Sequence, residues 1–446
     1  MQRILAWLFL AVATGFVNTS AAEGLTGSKR ANIIVILADD LGYGDVGFHN
    51  CPDIPTPQID RIARDGIRCT NGYASAPICS PSRAGLLTGR YQQRFGHESN
   101  PAEGGGLPLT ETTLADRLGA AGYVTGLVGK WHLGVIPELH PTRRGFAEFF
   151  GFLEGEHAYF PGQGPPLQRG TTEVDEREYL TDAFAREAVA FIDRHKDRPF
   201  FLYLAFNAVH IPMHATDERR ARFSSISDPH RRTYAAMTAA LDEGVGRVLA
   251  KLREENLEQQ TLVIFLSDNG GPTVQGTAIN GSRNSPLRGS KRTTLEGGIR
   301  VPFAARWPGR LPAGAVYEHP VIHLDLMPTV LAAAGITASP EWRLDGVDLL
   351  PYWSGRQTGP PHSALYWKFS AQMAIRRGDW KLVRYHPAAD GPIGRSRQRS
   401  AGATPARLYN LAWDLGETTD LAARYPETVR ELEGAWQEWN AQLTGR

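Results

Sequence analysis

The sequence predicts an α/β protein: a mostly parallel central sheet flanked by helices, followed by a small C-terminal α+β subdomain with a short antiparallel sheet and a helix. Two observations carry this. Three continuous apolar runs, at 32–38 (Asn-Ile-Ile-Val-Ile-Leu-Ala), 199–206 and 261–267, have the pattern of strands buried on both faces, and amphipathic helical stretches lie between them. From about Tyr366 the pattern changes to short strands, 373–376 and 380–384, joined through Arg377-Gly378-Asp379. A chain of 446 residues accommodates both parts, a main domain over 30–355 and a subdomain over 360–446.

The first residues read as a signal peptide, 1–22. Arg3 supplies the positive charge, 4–17 is mostly apolar, and Ser20-Ala21-Ala22 has the small residues of a cleavage site. The run is short and is broken by Thr14 and Gly15, which favours export to the periplasm or beyond over a membrane anchor. No later stretch is long and apolar enough to span a bilayer. A net charge of +1 gives no electrostatic case for nucleic acid, so anion recognition has to be local. Three cysteines are too few for a disulfide scaffold; whether Cys51 and Cys69 pair stays open.

After the first strand comes Asp39-Asp40-Leu41-Gly42. Ligands in open α/β sheets gather beyond the carboxyl ends of strands, and two adjacent carboxylates there call for a divalent cation. Residues 55–66 read as a Pro-started amphipathic helix closed by glycine. Next, Cys79-Ser80-Pro81-Ser82-Arg83 places a cysteine beside helix-opening residues. Cys79 should therefore sit near a helix N-terminus that favours an anion, with Arg83 one turn in as a fixed charge.

A helix over 112–121 and a strand over 123–128 deliver Lys130-Trp131-His132 between glycines, a pairing suited to anion binding and proton transfer. Residues 145–164, rich in glycine and aromatics without period, read as a long loop that carries His157 as a substrate-contact candidate. A helix over 180–195 leads to the second apolar run. His210 lies just past that run's end and His214 at the rim, near Pro212.

A long helix over 232–256 precedes the third run, which ends in Asp268-Asn269-Gly270-Gly271. This repeats the geometry of Asp39-Asp40 on another strand, and an all-oxygen set suits Ca²⁺ or Mg²⁺ rather than zinc. Lys291, among small residues, is a second anion contact. A capped helix over 323–335 is structural, residues 391–404 read as a mobile loop, and a strand at 408–411 precedes a final helix ending near Leu443.

Cys79-Ser80-Pro81-Ser82-Arg83 resembles the Cys-x-Pro-Ser-Arg signature of the formylglycine-dependent, arylsulfatase-like sulfatases. Asp39-Asp40, Lys130-Trp131-His132, His210, Asp268-Asn269 and Lys291 match that family's motifs in order. The resemblance implies an alkaline-phosphatase-like fold and hydrolysis of sulfate esters. It implies a Ca²⁺ (or Mg²⁺) site of Asp39, Asp40, Asp268, Asn269 and a Cys79 that a maturation enzyme has oxidised to formylglycine. It further implies Arg83 on the nucleophile, Lys130, His210 and Lys291 on the sulfate, and His132 handling the proton. Export and the aromatic loop lean towards a sulfated glycan substrate. A phosphodiesterase or phosphonate monoester hydrolase of the same superfamily, or a non-catalytic glycan-binding relative, are the competing readings.

Overall fold

The computed structural model describes residues 30–102, 104–273, 279–390 and 402–444. The signal-peptide reading of 1–22 and most of the 391–404 loop lie outside the described residues. No helix among the described residues is long and apolar enough to cross a membrane.

The period-two geometry of a strand explains the first apolar run. In Asn32–Ala38, Ile34, Ile36 and Ala38 enter one hydrophobic core, while Ile33, Val35 and Leu37 enter another on the opposite face. One core is closed by the helices Pro57–Arg64, Leu180–His195 and Pro229–Glu254, the other by Cys79–Thr88, Leu114–Ala120 and Leu326–Ala333. The strand is central in a ten-stranded sheet whose spatial order is Ala315–Tyr317, Ile67–Cys69, Phe303–Arg306, Thr261–Ser267, Asn32–Ala38, Phe200–Ala205, Val124–Lys130, Glu148–Phe152, Leu167–Arg169 and Thr172–Val174. From Thr261–Ser267 to Glu148–Phe152 the strands are parallel; Phe303–Arg306 and the far hairpin pair antiparallel.

Register decides what gathers at the carboxyl end. Ala38 pairs with Ser267, Leu37 with Ala205, and Gly129 with Ala205. The residues that follow, Asp39, Asp268, Lys130 and the 207–210 loop, therefore leave the sheet at one level.

Residues 145–164, read as loop, contain the strand Glu148–Phe152 beside Val124–Lys130. Gly151 hid it, because a glycine weakens a strand pattern. Here its role is close approach: a Cβ there would lie 1.9 Å from the Gly129 carbonyl oxygen. Phe303–Arg306 was not anticipated either. The helix read over 323–335 divides into a 3₁₀ turn, His323–Asp325, and the helix Leu326–Ala333. All three cysteines are free, so Cys51 and Cys69 do not pair; Cys69 is buried and Cys51 lies against Asp53 and Arg231.

The C-terminal subdomain is a four-stranded antiparallel sheet, Leu365–Phe369, Gln372–Arg377, Trp380–Arg384 and Arg407–Asn410, covered by the helix Pro426–Thr444. A buried charged knot fastens it to the main domain. The Lys381 ammonium lies 2.8 Å from Glu296 Oε1 and 2.9 Å from Glu417 Oε1, with all three side chains fully buried. Tyr73 donates its hydroxyl to Glu296 Oε2 (2.7 Å), and the Glu296 N–H donates to Glu417 Oε2 (2.7 Å).

Burial, reinforced by the charge of Glu296 and opposed by Lys381, raises the Glu417 carboxyl above its ordinary range. A carboxyl raised in the folded state contributes stability below its unfolded value, and this contribution is lost as pH climbs from about 4 towards neutrality. Whatever the offset at low pH, Glu417→Gln should therefore gain on the wild type between about pH 5 and pH 8 in denaturant midpoints. An offset that stays constant across that range would exclude Glu417 as the titrating group.

Candidate active site

Four strand ends and one helix start converge. The Asp39 N–H donates to the Ala208 carbonyl (3.0 Å) and the Val209 N–H to the Asp39 carbonyl (2.8 Å), locking the first carboxylate to the loop that bears His210. Asp40 follows in a left-handed conformation, φ +61°, and its N–H donates to Asp268 Oδ1 (3.2 Å). Cys79 is the first residue of the helix Cys79–Thr88, at the N-terminus the sequence predicts. The neighbouring serines do not cap that helix: Ile78 occupies the cap position, and the Ser80 hydroxyl lies 2.6 Å from the His132 carbonyl and 2.7 Å from His97 Nε2.

Around Cys79 Sγ stand Asp39 Oδ1 at 3.6 Å and Asp40 Oδ1 at 4.0 Å. Lys130 Nζ is 2.6 Å from Asp39 Oδ2, and Lys291 Nζ is 2.7 Å from Asp40 Oδ1. Arg83 places Nε and Nη2 on Asp268 Oδ2, at 3.0 and 2.9 Å, and Nη1 on the Lys130 carbonyl at 3.1 Å. The anion that Arg83 grips in two-point fashion is thus a carboxylate of this chain. Three carboxylates (Asp39, Asp40, Asp268) meet three obligate cations (Arg83, Lys130, Lys291), so the buried cluster is formally neutral. A divalent cation added to it would leave a net positive centre, the condition for attracting an anionic ester.

Burial works against ionising Asp39, but Lys130, with His210 and Arg83, outweighs it and holds the carboxyl below its ordinary value; for Asp40, Lys291 and His210 do the same. Burial pushes the Cys79 thiol up despite Lys130 and Lys291, so the side chain as coded is a poorly ionised thiol. Burial, joined by repulsion from Lys130, Arg83 and Lys291, drives His132 well below the usual imidazole range. Its ring is therefore neutral, with a buried Nδ1 that has no hydrogen-bond partner among the described residues.

His210 Nδ1 faces the Ile211 carbonyl at 2.8 Å, so that nitrogen carries a hydrogen. Nε2, 3.5 Å from Asp40 Oδ2, is then the nitrogen turned to the cluster.

The donor set fits a cation. Ligand atoms of Asp39, Asp40, Cys79 and His210 lie within 4.8 Å of one another, and Asn269, beside Asp40, keeps a buried Oδ1 without a partner among the described residues. A set dominated by oxygen suits a hard ion such as Ca²⁺ or Mg²⁺.

Two of the residues read from the sequence meet partners within the chain. Asp268, read as a ligand, has its oxygens on Arg83 and the Asp40 N–H, and His210 stands beside Asp39, Asp40 and Cys79 in the donor group. His157, read as a substrate contact, is turned into its own loop. Its ring nitrogens lie 2.6 Å from the Ala158 carbonyl and 2.8 Å from that of Pro165, which satisfies the polar edge that a substrate would need. Sequence reasoning missed Asn280, fully buried, whose Nδ2 donates to the Val209 carbonyl (2.9 Å) and the Asp40 carbonyl (3.3 Å). It also missed His97 behind Ser80. An isolated Asn or His outside any motif gives no signal of such a tie.

Comparison with known proteins places these residues in context. A family model described as Sulfatase matches residues 31–336, and one described as N-sulphoglucosamine sulphohydrolase, C-terminal, matches residues 289–391. N-acetylgalactosamine-6-sulfatase of Canis lupus familiaris is 36% identical over 409 residues, covering 83% of this chain and 76% of its own. Arylsulfatase A of Homo sapiens is 34% identical over 460 residues, covering 92% and 88%. The crystal structure of Ps i-CgsB superposes with a TM-score of 0.85 at 37% identity, covering 93% of this chain and 94% of that one; Ps i-CgsB has also been crystallised in complex with k-i-k-neocarrahexaose.

Proposed function

The chain belongs to the sulfatase family of sulfuric ester hydrolases, and we propose that it desulfates a sulfated carbohydrate using formylglycine at position 79 and a divalent cation. The observation that carries this reading is the charge-balanced cluster of Asp39, Asp40, Asp268, Arg83, Lys130 and Lys291 closed around Cys79. The carbohydrate is supported by what the relatives' names and the Ps i-CgsB complex say of those proteins.

Asp39, Asp40, Asp268, Asn269 and position 79 would hold Ca²⁺ or Mg²⁺, which supplies charge neutralisation and polarises a sulfate oxygen. Formylglycine, once hydrated, supplies an oxygen nucleophile at the helix N-terminus. Arg83, fixed by Asp268, orients that group. Lys130, Lys291 and His210 Nε2 bind the sulfate oxygens and favour charge building on the bridging oxygen. His132, neutral and with a free Nδ1, takes up and returns a proton.

The test is hydrolysis of 4-nitrophenyl sulfate and a panel of defined sulfated saccharides before and after chelation. EDTA should abolish turnover and Ca²⁺ or Mg²⁺ restore it. The re-added ion should also raise the thermal midpoint of the chelated protein, because a ligand bound only by the native state stabilises it. A midpoint indifferent to the ion would remove the cation from the account.

A further inference from the structure

Arg292 directly follows Lys291, and its backbone is held from two sides. Its N–H donates to the carbonyl of Pro77 (2.7 Å), two residues ahead of Cys79. Its own carbonyl accepts from Gln372 Nε2 (2.9 Å), on the first residue of the Gln372–Arg377 strand of the C-terminal subdomain. Between these anchors the residue adopts φ +70°. That is the left-handed region, which glycine enters freely and a residue with a Cβ enters at a cost. A non-glycine residue kept in such a conformation at the edge of a reactive cluster is a pointer to use.

The side chain is not used by the fold. It is exposed, and among the described residues it has no ion pair, hydrogen bond or ring partner. Most of the described arginines are engaged, as Arg83 is by Asp268 and Arg231 by Asp45 and Asp53.

The cluster is also not fully sealed. Asp39, Asp40, Arg83 and Lys130 are completely buried, whereas Lys291, His210 and His132 retain 7%, 7% and 8% exposure. Arg292 stands next in the chain to one of those rim residues.

We propose that Arg292 is a specificity residue, holding a second anionic group of the substrate beside the sulfate that is removed. The group is a further sulfate ester or a sugar carboxylate on a neighbouring ring, both of which match the two-point donor geometry of a guanidinium. The reacting sulfate has its own cations in Lys130 and Lys291, so an additional fixed charge outside them selects for an additional anion. The inference rests on the sulfatase reading and narrows it to polyanionic glycans.

Wild type, Arg292→Gly and Arg292→Lys are to be compared on matched disaccharides: one carrying a single sulfate, one with a second sulfate on the adjoining ring, and one with a uronate there. The wild type should prefer a dianionic member by about tenfold or more in kcat/KM, and the preference should shrink as salt is added. In Arg292→Gly the ratio should fall towards one while the thermal midpoint stays equal or rises, since the strained φ is relieved. Arg292→Lys should keep part of the ratio. The two dianionic arms tell sulfate from carboxylate. A glycine variant that retains the wild-type ratio, or a wild type without any preference, overturns the proposal. No hydrolysis of any of these compounds or of 4-nitrophenyl sulfate by the wild type would instead strike the sulfatase reading beneath it.

Discussion

Cys79→Ala is expected to lose sulfate-ester turnover by roughly five orders of magnitude or more while remaining folded, the scale seen when a nucleophile is deleted. The fold should survive because the substitution removes only the end of one side chain from a site framed by ion pairs. The Lys130–Asp39, Lys291–Asp40 and Arg83–Asp268 contacts do not pass through position 79. Loss of that small group's packing costs on the order of 1 kcal/mol. The measurements are kcat on 4-nitrophenyl sulfate and a thermal unfolding curve. Activity within tenfold of wild type would falsify the nucleophile assignment, and a collapsed unfolding transition would show that the side chain at position 79 is structural. Intact-mass analysis of the wild type, distinguishing a thiol from an aldehyde at position 79, completes the set.

The second large effect concerns stability. Lys381 is the cation between two fully buried carboxylates, Glu296 and Glu417, at the seam between the main domain and the C-terminal sheet. Lys381→Met removes that charge and leaves the carboxylates facing each other, with Arg300, 3.3 Å from Glu296, and Arg376 as the cations that still act on Glu296. Stranding a buried charge in this way costs about 3 to 5 kcal/mol. Denaturant unfolding should show the loss, and adding Glu417→Gln to Lys381→Met should recover a large part of it. A single mutant within about 1 kcal/mol of wild type would mean that the knot is not what fastens the subdomain.

How far the sequence could be read follows from which interactions are local. The bounds of Asn32–Ala38, Leu180–His195 and Thr261–Ser267 agree with the structure, because a run buried on both faces or a strong helical period is written in adjacent residues. The strand Glu148–Phe152 was lost because Gly151 serves a close approach to Gly129, a contact between segments. At the site, Asp39, Asp40, Lys130 and Asp268 were legible as residues following strand ends, and the register of the sheet brings them to one level. The partners were not legible. Arg83 was read as a fixed charge for a carboxylate, sulfate or phosphate, and the carboxylate it holds, Asp268, lies far away in sequence. His157 was chosen for residue type and loop position, and the carbonyls that occupy it belong to the folded loop.

All ten residues of the helix Cys79–Thr88 are buried, and Cys79 itself is 1% exposed. No protein catalyst can bring its own reactive groups to a sulfur atom so enclosed, and the ion pairs that close over it knit together segments as distant as Asp39 and Lys291. The oxidation proposed for position 79 therefore has a deadline: it belongs to the interval when this stretch is still an open polypeptide. On the proposed reading, a molecule that folds before being oxidised would be sealed in an inactive form, and only unfolding it would give the chain a second opportunity.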